Sequence, residues 1–142
     1  MSESRPSAAD TSLEVLTAMA RSVQARAWAP YSDFRVGAVL MASDGAIFSG
    51  CNVENASYPA GICAERGALA SAVASGARDF VRVVIVTDAD VPAPPCGICR
   101  QALVEFAPAL EVVSVAANGR VAQWSLADLL PFPFTPSSLA HA

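Results

Sequence analysis

Leu13, Leu16, Ala20, Val23 and Ala27 are spaced alternately by three and four residues, which predicts an amphipathic helix. Asp10, Thr11 or Ser12 supplies its N-cap, and Pro30 stops it. Phe34 to Met41 reads as a strand, Ser43-Asp44-Gly45 as a turn, and Ala46 to Val53 as the returning arm of a hairpin. A polar loop, Glu54 to Gly61, leads to an Ala- and Leu-rich helix, Cys63 to Ser75, which ends at Gly76. Val81 to Thr87 is β-branched and apolar around Arg82, the pattern of a largely buried strand. After a proline-broken loop, Asp88 to Pro95, the segment Cys96 to Phe106 reads as helix and Glu111 to Ala116 as strand. Asn118-Gly119 marks a turn, Val121 to Ser125 a fifth strand, and Ser125 caps a short helix through Leu130, followed by an irregular tail. The order αββαβαββ with a short final helix predicts an α/β fold, a three-layer α/β/α domain on a five-stranded mixed sheet.

The length of 142 residues suits one domain, placed at 10–134 between a flexible N-terminus, 1–9, and a tail, 135–142. Hydrophobic residues make up 54% and charged ones 15%, so burial outweighs chain entropy and disorder is excluded for most of the length. All nine basic residues are arginine, against 13 acidic ones, for a net charge of -4. That field attracts neither nucleic acid nor anionic lipid, and no aromatic-basic interleaving is present to grip a strand. The longest uncharged stretch, 129–142, has 14 residues and is broken by proline, whereas a membrane span needs about 20. Residues 1–10 hold no apolar run of the secretory kind, so a cytoplasmic location is expected. In that reducing setting Cys51, Cys63, Cys96 and Cys99 are metal or redox ligands sooner than disulfides.

Cys96-x-x-Cys99 alone serves redox pairs and structural zinc equally. Cys63 adds a third thiolate from the start of another predicted helix. Three protein ligands with one open position is the catalytic arrangement of zinc. Cys51 sits in a strand, far from the short pairing spacings of a four-thiolate knot, and reads as a buried small apolar residue. Glu65, two residues beyond Cys63, can point into the open side, where a carboxylate can move a proton from water to a substrate nitrogen; alone it would read as a first-turn helix Glu. Three thiolates leave Zn²⁺ with a net charge of −1. Two helix N-termini and hydrogen bonds from Arg66 offset that charge, with Arg100 either a second such donor or a solvated helix arginine.

Cys63-Ala64-Glu65-Arg66 followed by Pro95-Cys96-Gly97-Ile98-Cys99-Arg100-Gln101 resembles the zinc deaminase signature, with Cys in place of its first His. The resemblance to the small homotetrameric cytidine deaminases covers almost the whole chain. It takes in Tyr31-Ser32-x-Phe34-x-Val36-Gly37-Ala38, Gly50-Cys51-Asn52-Val53-Glu54-Asn55-Ala56-x-Tyr58-Pro59 and Leu129-Leu130-Pro131-x-x-Phe134. It implies zinc on Cys63, Cys96 and Cys99, and Glu65 as proton shuttle. It also implies that Asn52 and Glu54 bond the ribose 3′-hydroxyl and that Phe34 packs beside the pyrimidine. The Ala64 N–H would bond the base carbonyl and the Pro94 carbonyl would accept from the amine. Phe134 would reach a neighbouring subunit's pocket. Departures from the family pattern are Pro94 for Ser, Gly67 for Thr and Ile98 for Ala. Gly67, unfavourable inside a helix by about 1 kcal/mol against Ala, is expected to make room for a neighbour.

The implied reaction is hydrolytic deamination of cytidine and 2′-deoxycytidine, with release of ammonia, in pyrimidine salvage. A blasticidin S-type deaminase shares the cysteine motifs, but Asn52-x-Glu54 favours a ribose, because a buried carboxylate needs a hydroxyl donor. A zinc-stabilised scaffold without turnover would need Cys51 as fourth ligand and no Glu65. His141, in the tail, reads as neither ligand nor base, and Trp28 and Trp124 read as packing or interface residues.

Overall fold

The computed structural model describes residues 11–140. The expected flexibility of 1–9, a cap at Asp10 and the reading of His141 lie outside the described residues.

Helix α1 spans Leu13–Gln24, with Ser12 as N-cap accepting from the Val15 N–H at 3.3 Å. The helix stops three residues short of Ala27. There the Trp28 N–H turns to the Asn52 carbonyl (3.0 Å), and Trp28 bridges Val53 instead of continuing the helix. Strands β1 (Val36–Ala42) and β2 (Ile47–Cys51) form the hairpin. Helix α2 (Ala64–Ala74) follows, then β3 (Phe80–Thr87), α3 (Gly97–Val104), β4 (Glu111–Val115), β5 (Val121–Ser125) and the single turn α4 (Leu126–Leu129). Gly76, just past α2, has φ +95°, the left-handed conformation that favours glycine at a helix end. Ser125 caps α4 by accepting from the Asp128 N–H at 3.1 Å. The tail contains one 3₁₀ turn, Pro136–Leu139.

The sheet order is β2-β1-β3-β4-β5, with only β3 and β4 parallel, joined through α3 as such a pair requires. This is the expected five-stranded mixed sheet. The central strands are buried on both faces, which is why they read as continuous apolar runs. Leu40, Val83, Ile85 and Val112 pack with Ala68, Leu69 and Leu103 of α2 and α3 on one face. Val39, Met41, Val84, Val86, Val113 and Val115 meet Leu16 and Ala20 of α1 on the other.

Two glycines set the distance between layers. A Cβ on Gly50 would lie 2.4 Å from the Ala68 nitrogen and 2.5 Å from the Ala64 oxygen, so α2 sits directly on β2. A Cβ on Gly37 would lie 2.1 Å from the Ala20 oxygen, so α1 sits as closely on β1. Gly67 behaves differently from expectation. Its Cβ would find only ordinary contacts at 3.7 Å, with Cys51 O and Gly50 Cα, so the room here is made by Gly50.

Candidate active site

Each cysteine of the two motifs occupies a defined place at a helix start. Cys63 is the N-cap of α2 and Cys96 the N-cap of α3, and neither thiol caps its own helix. The sulfurs turn to one another instead. Cys63 Sγ lies 3.8 Å from Cys96 Sγ, and the sulfurs of Cys63, Cys96 and Cys99 all lie within 4.8 Å of one another. Tetrahedral zinc with bonds of about 2.3 Å holds its sulfurs about 3.8 Å apart, so the trio fits that ion. Among the described residues it is the one cluster of this kind, and Cys51 is outside it. Cys51 is half-buried, not fully buried as its strand position led us to expect, because it ends the edge strand β2.

Electrostatics prepares the sulfurs for a cation. The Cys99 thiol donates to Cys63, and the Arg66 guanidinium and Cys96 add to this, so that the Cys63 thiol is held down at about 5. Cys99 is pushed the other way, because it keeps the proton it gives Cys63, is buried, and faces Glu65. Arg66 Nη2 stands 3.8 Å from Cys63 Sγ, the charge-compensating place expected for it. Arg100 takes neither role expected of it. Its Nε donates to the Pro95 carbonyl and its Nη1 to the Leu129 carbonyl, both at 2.8 Å, so it ties the start of α3 to α4.

Glu65, in the first turn of α2, is only 4% exposed. Burial, the largest cause, raises its pKa above the ordinary carboxylate value, and the Cys63 charge adds to the rise against an opposing hydrogen bond with Cys99. A carboxyl poised to hold and release protons thus faces the cluster.

Glu65 lines a cavity of about 450 Å³ together with Cys63, Ala64, Phe34, Asn52 and Glu54, among others. Pro94 also lines it, as do Ile85 and Thr87 of β3, which carried no recognisable signal in the sequence. The Ala64 N–H opens α2 and therefore has no partner inside the helix. Phe34 is expected in a strand but precedes β1; the residue is 37% exposed and lines the cavity. The Glu54 carboxylate accepts from the Tyr31 N–H (2.9 Å), the Ser32 N–H (3.1 Å) and the Ser32 hydroxyl. Its pKa is lowered, chiefly by that hydroxyl. Asn52 donates to the Phe34 carbonyl and accepts from the Val36 N–H, both at 2.8 Å.

Phe134 is not brought to the cavity of its own chain. Gln101 holds it by the backbone, donating to its carbonyl at 2.7 Å and accepting from its N–H at 3.3 Å, and Phe134 is 59% exposed. Phe132, at 93% exposure, has even less cover. Trp124 packs on the core, whereas Trp28 stays 60% exposed.

A buried carboxyl beside three cysteine sulfurs, lining a cavity on an α/β sheet, defines a centre suited to metal-dependent hydrolysis. The zinc-binding region of the cytidine and deoxycytidylate deaminases matches residues 10–116 of this chain. The chain belongs to that family. A cytidine deaminase of Sporosarcina psychrophila is 40% identical over 131 residues, spanning 92% of this chain and 96% of its own. One from Halalkalibacterium halodurans is 43% identical over 121 residues, 83% of this chain and 92% of its own. The crystal structure of a cytidine deaminase from Burkholderia pseudomallei superposes with a TM-score of 0.85 at 46% identity, covering 87% of this chain and all (100%) of that one. A blasticidin-S deaminase of Bacillus cereus is also similar, at 31% identity over 108 residues, 70% of this chain and 76% of its own.

Proposed function

We propose that this chain hydrolyses cytidine and 2′-deoxycytidine to uridine and 2′-deoxyuridine, releasing ammonia, as a pyrimidine salvage enzyme of the cytoplasm. The observation that carries the proposal is Glu65, buried and lining the cavity beside the three-cysteine cluster. Cys63, Cys96 and Cys99 hold one zinc ion per subunit. Bound there, zinc supplies Lewis-acid chemistry, lowering the pKa of water at its open position.

The protein's own groups do the rest. Glu65 takes a proton from the attacking water and delivers it to N3 of the base, then takes the remaining proton of the new C4 hydroxyl and gives it to the leaving amine. Its burial favours the protonated form needed for delivery. The Ala64 N–H donates to the base carbonyl, and the Pro94 carbonyl accepts from the amine, which the missing proline N–H does not impair. Phe34 packs beside the pyrimidine. Asn52 and Glu54 bond the ribose 3′-hydroxyl, using the lone pairs and the amide proton left over from their contacts with the 31–36 segment. Arg66 offsets thiolate charge. The assembly is a homotetramer in which Phe134, exposed in the isolated chain, reaches a neighbouring pocket.

Ultraviolet absorbance of cytidine, deoxycytidine, cytosine and blasticidin S, each mixed with the zinc-loaded protein, tests the reading. Loss of signal is expected for the two nucleosides, and turnover of blasticidin S alone would overturn the ribose assignment. Glu65→Gln is expected to lower kcat by at least about 10²–10⁴-fold with zinc retained. A zinc-loaded E65Q enzyme of undiminished rate would refute the shuttle.

A further inference from the structure

Phe34, Arg35 and Val36 cross from the loop into β1, and four side chains from separate parts of the chain take up their backbone polar groups. The Phe34 N–H donates to Ser32 Oγ at 3.0 Å, and Asn52 takes the Phe34 carbonyl and the Val36 N–H. Arg35, between them, is gripped from the other side. Its N–H donates to Asp88 Oδ2 at 2.9 Å and its carbonyl accepts from Gln24 Nε2 at 3.0 Å. Gln24 Nε2 also reaches Asp88 Oδ1 at 3.2 Å, so the two side chains and the Arg35 peptide groups form a closed ring. Gln24 is 8% exposed and is itself held, its Oε1 accepting from Arg21 Nη1 at 3.2 Å. Arg21 spans the ends of the parallel strands, donating to the Thr87 carbonyl at 3.2 Å and the Ala116 carbonyl at 2.5 Å. The absence of a Cβ on Gly37 lets α1 come close enough for Gln24 to make this reach, since that Cβ would sit 2.9 Å from Gln24 Cβ.

Asp88 is the first residue after β3 and begins the loop that runs to Pro94 and Cys96. One carboxylate therefore joins two segments that line the cavity, that of Phe34 and the loop of Pro94. Neither Asp88 nor Gln24 lines the cavity, so neither touches what binds there.

We infer that Asp88 and Gln24 are positioning residues that tie the Phe34 segment to the loop leading to Pro94, and so set affinity for the pyrimidine. This rests on the nucleoside reading above. A ring that packs on the base equally in ground and transition states contributes uniform binding, so its displacement raises KM and leaves kcat in place. Losing a charge-assisted hydrogen bond to a backbone N–H, passed on to ring placement, raises KM about tenfold.

The test compares Asp88→Ala and Asp88→Asn in the zinc-loaded protein, with KM and kcat for cytidine and the Kd of uridine by calorimetry. D88A is expected to raise KM and Kd together by about tenfold with kcat within about twofold of wild type. D88N keeps an oxygen for the Arg35 N–H and restores both to within about threefold. In a Phe34→Leu background D88A adds less than about twofold, because the ring it orients is gone. An unchanged KM and Kd in D88A, a loss that D88N does not recover, or a full tenfold effect persisting in F34L each overturns the inference while the nucleoside reading stands. A wild-type protein inert toward cytidine and blind to uridine would overturn both.

Discussion

The seat of α2 on β2 can be tested with two single-methyl additions that face each other and act in opposite directions. Gly50→Ala places its Cβ 2.4 Å from Ala68 N, 2.5 Å from Ala64 O and 2.9 Å from Gly67 C, all backbone atoms of α2. The shortest of these falls about 1 Å below the 3.4 Å at which ordinary contact begins, and backbone cannot rotate away as a side-chain tip can. The whole helix must lift, an overpacking cost of about 1–3 kcal/mol. For a chain of this size that lowers Tm by about 4–12 °C. The lift also carries Ala64 and its neighbour Cys63, so zinc retention during dialysis against a mild chelator falls in parallel. Gly67→Ala adds a methyl whose nearest neighbours are 3.7 Å away and removes a helix-interior glycine. It is expected to stabilise by up to about 1 kcal/mol, raising Tm by about 3–5 °C with zinc content unchanged. Differential scanning calorimetry of the zinc-loaded variants reads both. A G50A protein as stable as wild type, or a G67A protein less stable, would refute the close-approach account of this interface.

Two further outcomes follow from the site. Glu54 is held below its ordinary pKa of 4.5, so its contribution is fully present above that value and is lost as pH falls through the lowered one. The Tm difference between wild type and Glu54→Gln is therefore expected to shrink as pH is taken from about 6 to about 3, and a difference constant across that range would show the Ser32 and Tyr31 contacts to be inert. Cys51→Ala is expected to keep one zinc per chain by atomic absorption, since Cys51 stands outside the sulfur cluster. Chelation should lower the Tm of C51A and wild type alike, by the equivalent of roughly 4 kcal/mol at a thousandfold excess over Kd. Zinc lost from C51A alone would restore the four-thiolate scaffold reading.

Residues near in sequence were read correctly wherever local chemistry decides. The continuous apolar runs announced β1 and β3, Ser125 announced the cap of α4, and Gly76 announced the end of α2, because backbone preference and hydrophobic patterning act within a few residues. The cysteine cluster able to hold a metal ion was legible for the same reason: two short cysteine motifs, each opening a helix, carry their own spacing. The element ends were less legible. Ala27 continues the apolar period of α1, yet the helix yields at Gln24 because pairing of Trp28 with Val53 satisfies the backbone better there.

What remained hidden depends on contacts between residues far apart in the chain. Arg100 lies in the metal motif, but the Pro95 and Leu129 carbonyls claim it, and only the placement of α4 beside α3 reveals them. Asp88 and Gln24 belong to no motif, and they meet at Arg35 only because α1 lies against β1 where Gly37 has no side chain. Gly67 drew attention because a helix glycine is locally costly, whereas Gly50, the position with no room for a methyl, is unremarkable in a strand until α2 is laid across it. The sequence by itself determined the order of elements, the cysteine trio and the carboxyl beside it, since these follow from local period and from ligand chemistry. Tertiary structure alone decided the burial that raises the Glu65 pKa, the distances among the sulfurs, and the cross-linked wall around Phe34, because each is a sum over neighbours that the fold brings together.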